Sequence, residues 1–443
     1  MRLCNLLVIS TDVHLAAELI EKNCHFCTWS QGTNNTLVHT CIYSMRVASK
    51  NTMLSIRFLL CCFGAVASVQ SAPITITRET FAACRPGSWA NIPVECCPPK
   101  TIEGPIVDFK PDFHPSKPLR VRKALQCLAG EELEIYTQKL YKGYALMRAL
   151  PDSDPRSFMR QNQIHCAYGT GSFVQDGSTN LTMDIHLNWF FLPWHRLFVY
   201  FHERILQKLL NDADFSLHFW NFDNSEEADG DGDGCYKAGH FVPPVYADLE
   251  APTFERNRTS RAFDPANPVY LDLLSTDPRL GQPVFHNYTV EEAVRGNKRI
   301  MHRAVAQVHD VVAFVGRPRR VGDPQILDAS DGAGTLEWWP HITLHNWVGG
   351  FMFQTQTAPL DPIFYIMHAN VERLWKVWRS LSPANVDPAD PDFLDAAFLL
   401  WDENAVLRRI RVRDVLHTEA LGYTYEKVND ASWIFFDNST YDP

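Results

Sequence analysis

The sequence has no apolar run long enough to cross a bilayer: its strongest extends only from Phe58 to Val69, where a spanning helix needs ~20 residues. No stable membrane insertion is expected. A basic excess is also missing. With 41 Lys and Arg against 51 Asp and Glu the net charge is −10, which argues against nucleic acid as a partner because phosphate binding needs clustered cations. Tandem repeats are absent too. What is present, 46% hydrophobic and 21% charged residues over 443 positions, excludes disordered and fibrous classes and predicts a sizeable core in at most two domains.

The segment Met53-Leu-Ser-Ile-Arg57 leads as a short basic stretch into the apolar run, and the small residues Ser68, Ser71 and Ala72 follow it. This pattern predicts a secretory signal peptide over 53–71, cleaved near Ser71 or Ala72. Residues 1–52 then precede the signal and are expected to be a gene-model extension. Six of the twelve cysteines lie upstream of the cleavage, leaving Cys84, Cys96, Cys97, Cys127, Cys166 and Cys235 as an even set suited to oxidised pairs. Sequons at Asn180, Asn257, Asn287 and Asn438 agree with a secreted or vacuolar location.

Residues 73–122 are Pro-rich and read as an irregular, stapled arm wrapped on the core. Apolar residues at Leu133, Tyr136, Leu140, Tyr144 and Met147 predict an amphipathic helix closed by Pro151. Further helices are expected from Asp154-Pro155 toward His165, from Pro193 through Leu210, over roughly 290–314, and from Asp361-Pro362, where Asp caps and Pro opens the helix. Strands are expected near Phe398–Leu400 and Ile410–Val412. The spacing Asp229-Gly-Asp-Gly-Asp233-Gly234 imitates half of a calcium loop, but His240 stands at its twelfth position, so a solvated acidic loop is the reading. The fold class is mainly α with irregular loops and a few short strands.

Six histidines fall into two triplets: His165, His186 and His195, then His341, His345 and His368. Each triplet ends near the start of a Pro-initiated apolar helix, and His341 and His345 lie four apart on one helical face. Neutral imidazoles on facing helices hold transition metals, and all-nitrogen sites suit copper or zinc rather than magnesium or calcium. His202, His302 and His309 read as ordinary core histidines.

The segments His186-Leu-Asn-Trp-Phe-Phe-Leu-Pro-Trp-His195-Arg196, His341-Ile-Thr-Leu-His345-Asn-Trp347 and Asp361-Pro-Ile-Phe-Tyr-Ile-Met-His368-Ala-Asn-Val-Glu-Arg373 resemble the two copper motifs of the tyrosinase family, in its plant polyphenol oxidase (catechol oxidase) branch. Cys96-Cys-Pro-Pro99, Leu150-Pro-Asp152, Asp154-Pro-Arg-Ser-Phe158 and His165-Cys-Ala-Tyr168 extend the likeness, which covers roughly 84–430. The resemblance implies a four-helix core with a dinuclear type-3 copper centre, one ion on each triplet. It also implies oxidation of o-diphenols to o-quinones with dioxygen reduced to water, so that dioxygen and small phenolic or catecholic molecules are the partners. By the same resemblance Glu337 holds a water near the substrate, and Cys84 pairs with Cys97 and Cys96 with Cys166. The implied layout is a dicopper catalytic domain over 72–386, a linker unit over 387–430 and a short tail over 431–443 without the C-terminal shielding domain. Relatives of this branch are often plastid proteins, which makes the thylakoid lumen the alternative location.

Several positions depart from that pattern. Gly169 stands where the branch usually carries a cysteine joined to the second ligand histidine, Met367 where a histidine is common, and Thr355 near where a bulky phenylalanine shields the site. Ile342 follows His341 and cannot orient a water with Glu337, whereas Asn346 follows His345, so diphenol oxidation is the primary reading and monophenol hydroxylation a secondary one. The alternatives are a non-catalytic dioxygen carrier of the haemocyanin type, a zinc hydrolase, which would normally want a carboxylate ligand, and a copper-free protein derived from the family.

Overall fold

The buried faces of the long helices meet around the histidines, and the irregular segments wrap outside them. The computed structural model describes residues 23–31, 37–49, 52–62, 72–98, 104–176, 178, 180–228, 234–264, 266–271, 288–326 and 329–437. Two units divide at residue 70. The first holds an antiparallel sheet of β1 (Asn23–Gln31), β2 (Leu37–Ser49) and β3 (Thr52–Cys62), with β2 in the middle. The start of the expected signal lies in β3; residues 63–71 lie outside the described residues, as do Asp229–Asp233, Asn287 and Asn438.

The second unit is mainly helical. Its principal helices are α1 (Gly130–Ala149), α2 (Phe158–Gly169), α3 (Phe191–Leu210), α4 (Val290–Met301), α5 (Ile342–Val348) and α6 (Ile363–Leu381). α3 packs against α6 on one side and α1 on the other. On α1 the buried residues Tyr136, Leu140, Tyr144 and Met147 recur at three- and four-residue steps, the stripe a core-facing helix needs. A Cβ on Gly143 would lie 3.1 Å from Leu206, so glycine lets α1 approach α3 closely. No helix among the described residues is long and apolar enough to cross a membrane.

Two helices differ from the sequence expectation for local reasons. α2 begins at Phe158 rather than at Asp154-Pro155, because Asp154 is engaged by Arg156 and the Ser157 hydroxyl accepts from the amide of Arg160 as the cap. The expected continuous helix over 290–314 stops at Met301. It passes through a wider turn (His302–Ala306) and restarts at Val311, where Asp310 accepts from the Ala313 amide, while the Val308 carbonyl is taken by the indole of Trp378 at 2.6 Å.

The N-terminal arm and the tail brace each other. β4 (Gly87–Trp89) pairs with β5 (Ile92–Val94) as a hairpin, β6 (Val107–Asp108) runs parallel to β9 (Leu407–Arg411), and β9 is antiparallel to β8 (Ala397–Trp401). β7 (Arg120–Arg122) pairs with β10 (Tyr423–Tyr425). Disulfides join Cys84 to Cys97, Cys96 to Cys166 and Cys127 to Cys235, with Cα separations of 5.6, 5.2 and 5.7 Å. The last was unassigned in the sequence and ties the start of α1 to the irregular stretch after α3.

Buried charges fix the helices in place. Arg122 on β7 bridges Glu203 of α3 at 2.9 Å and Glu372 of α6 at 3.1 Å, and Arg196 of α3 meets Glu372 at 3.0 Å. At the start of α6, Asp361 takes both Nε and Nη2 of Arg258 at 2.7 Å and also accepts from the Ile363 amide at 3.0 Å. Neither Arg258 nor Asp361 exposes its side chain. Removing one partner strands a buried charge, so Arg258→Ala is expected to destabilise the fold by ~3–5 kcal/mol in urea unfolding, and a loss below ~1 kcal/mol would contradict this role.

Candidate metal centre

Each histidine of the first triplet arrives from a different element. His165 lies in the last turns of α2, His186 in the loop before α3, and His195 in the first turns of α3. In the second triplet His341 ends a wide turn over Glu337–His341, His345 sits one turn on in α5, and His368 lies in α6. Within each triplet, one ligand atom from every ring falls within 4.8 Å of the others. The triplets adjoin: the rings of His195 and His368 stack at 4.2 Å with planes 7° apart. Thus the structure brings all six together and leaves His202, His302 and His309 out, with His202 stacked on Tyr365 in the core and bonded to the Tyr144 hydroxyl.

The hydrogen bonds determine where the protons sit. His165 Nδ1 faces the Thr355 carbonyl at 3.0 Å, His195 Nδ1 the Phe191 carbonyl at 2.8 Å, and His345 Nδ1 the Met352 carbonyl at 2.6 Å. A carbonyl can only accept, so each Nδ1 carries the proton and each Nε2 a lone pair. Yet Nε2 of His165 and Nε2 of His195 face each other at 3.3 Å. Two lone pairs so placed are satisfied by a cation between them. Among the described residues, buried His341 and His368 make no hydrogen bond at either ring nitrogen. Burial is the largest cause lowering the pKa of His165, His195, His341 and His368 well below the ordinary value, and it pushes His345 down to about 4. These five rings are neutral donors at physiological pH, the state in which imidazole binds a transition metal. On these grounds the residues fit a pair of copper ions.

Phe191 and Phe364 form dry walls. Phe364 lies 5.0 Å from His165 and 4.1 Å from His368, and Phe191 lies 4.5 Å from His341 and 4.7 Å from His195, ring centre to ring centre. Above them opens a cavity of about 330 Å³ that reaches His165, His186, His341 and His345. Its rim carries Glu337, Ile342, Asn346 and Thr355, together with Trp89, Phe353, Gln325 and Asp184, which the sequence did not single out. Phe353 meets Trp89 edge-on at 6.1 Å, so an aromatic edge stands beside the open position left by Thr355. The signal for Phe353 was its place two residues before Thr355; nothing local marks Trp89, which the β4–β5 hairpin brings from far away in the chain.

Glu337 is buried, with Oε1 accepting the Leu187 amide at 2.8 Å and Oε2 unpartnered among the described residues. Burial raises its pKa well above the ordinary carboxyl range; the Leu187 amide opposes this and the Asp184 charge adds to it. Leu187 itself has φ +59°, a left-handed conformation unusual for leucine, and the bond to Glu337 holds it there beside His186.

At Gly169 a Cβ would lie 2.7 Å from His186 Cε1 and 2.7 Å from Thr355 Cγ2. The missing side chain is therefore filled by the ring of His186 itself. Gly169→Ala is expected to displace that ring and weaken copper at the first triplet by about tenfold, read as ions retained per chain against a chelator. Full retention would contradict the close fit.

Comparison with known proteins follows the same lines. Residues 155–381 match the common central domain of tyrosinase, and residues 387–438 match the polyphenol oxidase middle domain. A chloroplastic polyphenol oxidase of Malus domestica is 37% identical over 369 residues, 81% of this chain and 56% of that protein. Aureusidin synthase of Antirrhinum majus is 36% identical over 377 residues, 83% and 62% of the two. The crystal structure of Grenache (Vitis vinifera) polyphenol oxidase matches with a TM-score of 0.70 at 33% identity, covering 82% of this chain and 99% of that one. The chain thus spans 56% to 62% of the length of these two curated relatives. The word chloroplastic in the apple protein's name agrees with the plastid alternative and lends the secretory route no support.

Proposed function

This chain belongs to the tyrosinase family, among the type-3 copper oxidases of the plant polyphenol oxidase group, and we propose on that premise that it oxidises o-diphenols to o-quinones. Each diphenol gives up two electrons and two protons, and two diphenols reduce one dioxygen to two waters. The observation that carries the reading is the cavity of about 330 Å³ open to four of the six histidines, room for a small aromatic molecule at a redox centre. A carrier of the haemocyanin type has no use for such access. Because aureusidin synthase is among the relatives, the phenol oxidised by this chain is assigned here only as a catechol of modest size. A plastid location goes with this reading, by analogy with the apple relative.

We assign His165, His186 and His195 to one copper and His341, His345 and His368 to the other, within a catalytic domain over 72–386 braced by the unit at 387–430. When bound, the two ions supply paired electron transfer to dioxygen. The chain's own residues do the rest. Phe191 and Phe364 keep water from the inner faces of the rings, and Ile342, Phe353 and Trp89 offer an apolar wall for the phenol. Glu337 presents to the cavity an Oε2 unpartnered among the described residues; burial makes the ionised carboxyl a strong base, and in that form it takes a proton from a phenol hydroxyl. Ile342 offers no polar partner at that edge, which favours substrates already carrying both hydroxyls.

Two outcomes test this. His195→Ala removes a donor that adjoins both triplets and is expected to lower copper content and abolish oxygen uptake on 4-methylcatechol; retained turnover would sink the assignment. Glu337→Gln keeps an acceptor for the Leu187 amide and loses the base, so kcat is expected to fall ~10²-fold or more with copper content unchanged. Wild-type kcat in that variant would remove Glu337 from the reaction.

A further inference from the structure

We propose that Asp184 is the positioning residue for His186, and that its carboxylate makes the copper at the first triplet the more tightly held of the two. The inference rests on the dicopper assignment above and concerns what holds one of its ligands in place.

Of the six histidines, His186 alone is carried by a loop rather than by a helix or a helical turn. Three of the others have Nδ1 pinned by a backbone carbonyl. His186 has none: among the described residues its buried Nδ1 makes no hydrogen bond, and Asp184 Oδ1 stands 3.4 Å from it. No other ring of the six has a carboxylate within ion-pair distance among the described residues.

The carboxylate is itself held firmly. Oδ1 accepts the main-chain amide of His186 at 2.8 Å, and Oδ2 accepts from Gln325 Nε2 at 2.6 Å. Gln325 is braced by the Thr182 hydroxyl at 3.1 Å, and the Asp184 carbonyl accepts from Asn188 at 2.9 Å. Buried Arg319 donates to the Thr182 carbonyl at 2.7 Å and feels the Asp184 charge. So the acceptor is in place beside Nδ1, and Gly169 lies along the Cε1–Nδ1 edge of the same ring, where even a methyl group would collide.

A carboxylate facing Nδ1 at 3.4 Å favours the proton on that nitrogen through its charge, which leaves the Nε2 lone pair for the metal and raises the ring's donor strength. Because only one triplet has this partner, the two ions differ in retention.

The test is copper retention by the holoprotein against increasing chelator, without substrate, for wild type, Asp184→Asn and Asp184→Ala. Asp184→Asn keeps an oxygen for the His186 amide and removes the charge, so it carries the test even if Asp184→Ala folds poorly. The expected result is that one ion leaves ~10-fold more readily in Asp184→Asn and up to ~100-fold in Asp184→Ala, while the other keeps its wild-type retention. The chain left with a single cupric ion then shows the paramagnetic resonance of an isolated centre. Retention of both ions as in wild type, or loss of both together, would overturn the proposal. A wild-type chain that holds no copper would overturn the dicopper assignment as well, which separates the two failures.

Discussion

Two ring nitrogens facing each other at 3.3 Å, each with its proton committed elsewhere, are the constraint on which the rest depends. Had the proton of His165 or His195 been free to move to Nε2, the pair could close as a hydrogen bond and need no metal. The carbonyls of Thr355 and Phe191 prevent this by holding both protons at Nδ1. Neutral, desolvated and mutually repelling, the lone pairs make a cation the stabilising occupant.

Such an arrangement costs folding free energy, and the architecture opposes the cost with rigid packing. α3 and α6 carry His195 and His368 into stacking contact, and the buried arginines bind the same helices to the arm and the tail. Buried ion pairs add little net stability, but their geometry is exacting once formed. That is the property a metal centre uses. The Arg258–Asp361 pair sets the first turn of α6, and with it the height at which His368 and Phe364 stand. The loop carrying His186 is the exception to helical control, and it is held by Asp184, by Asn188 and by the Glu337 bond to a left-handed Leu187.

The mainly helical fold and the grouping of the six histidines were legible because they are written in local terms: apolar spacing, Pro-initiated helices and the four-residue step from His341 to His345. Features that depend on distant residues were not. Trp89 reaches the cavity through a hairpin in the Pro-rich arm, and Gln325 meets Asp184 across 141 positions. The Cys127–Cys235 pairing spans 108 positions and had no motif to announce it. Helix ends failed where side chains competed: Asp154 read as a helix opener but is drawn to Arg156, so the helix waits for Ser157. Of the cavity edge, Thr355 was read as an opening, while Phe353 two residues earlier supplies an aromatic side chain to the same rim.

The most direct test of the central claim is metal analysis of the purified wild-type chain, combined with paramagnetic resonance of its oxidised form. The account predicts two copper ions per chain with no resonance from an isolated cupric ion, because adjacent triplets hold their ions as a coupled pair. One copper per chain with a full isolated-ion signal, or zinc in place of copper, would contradict it.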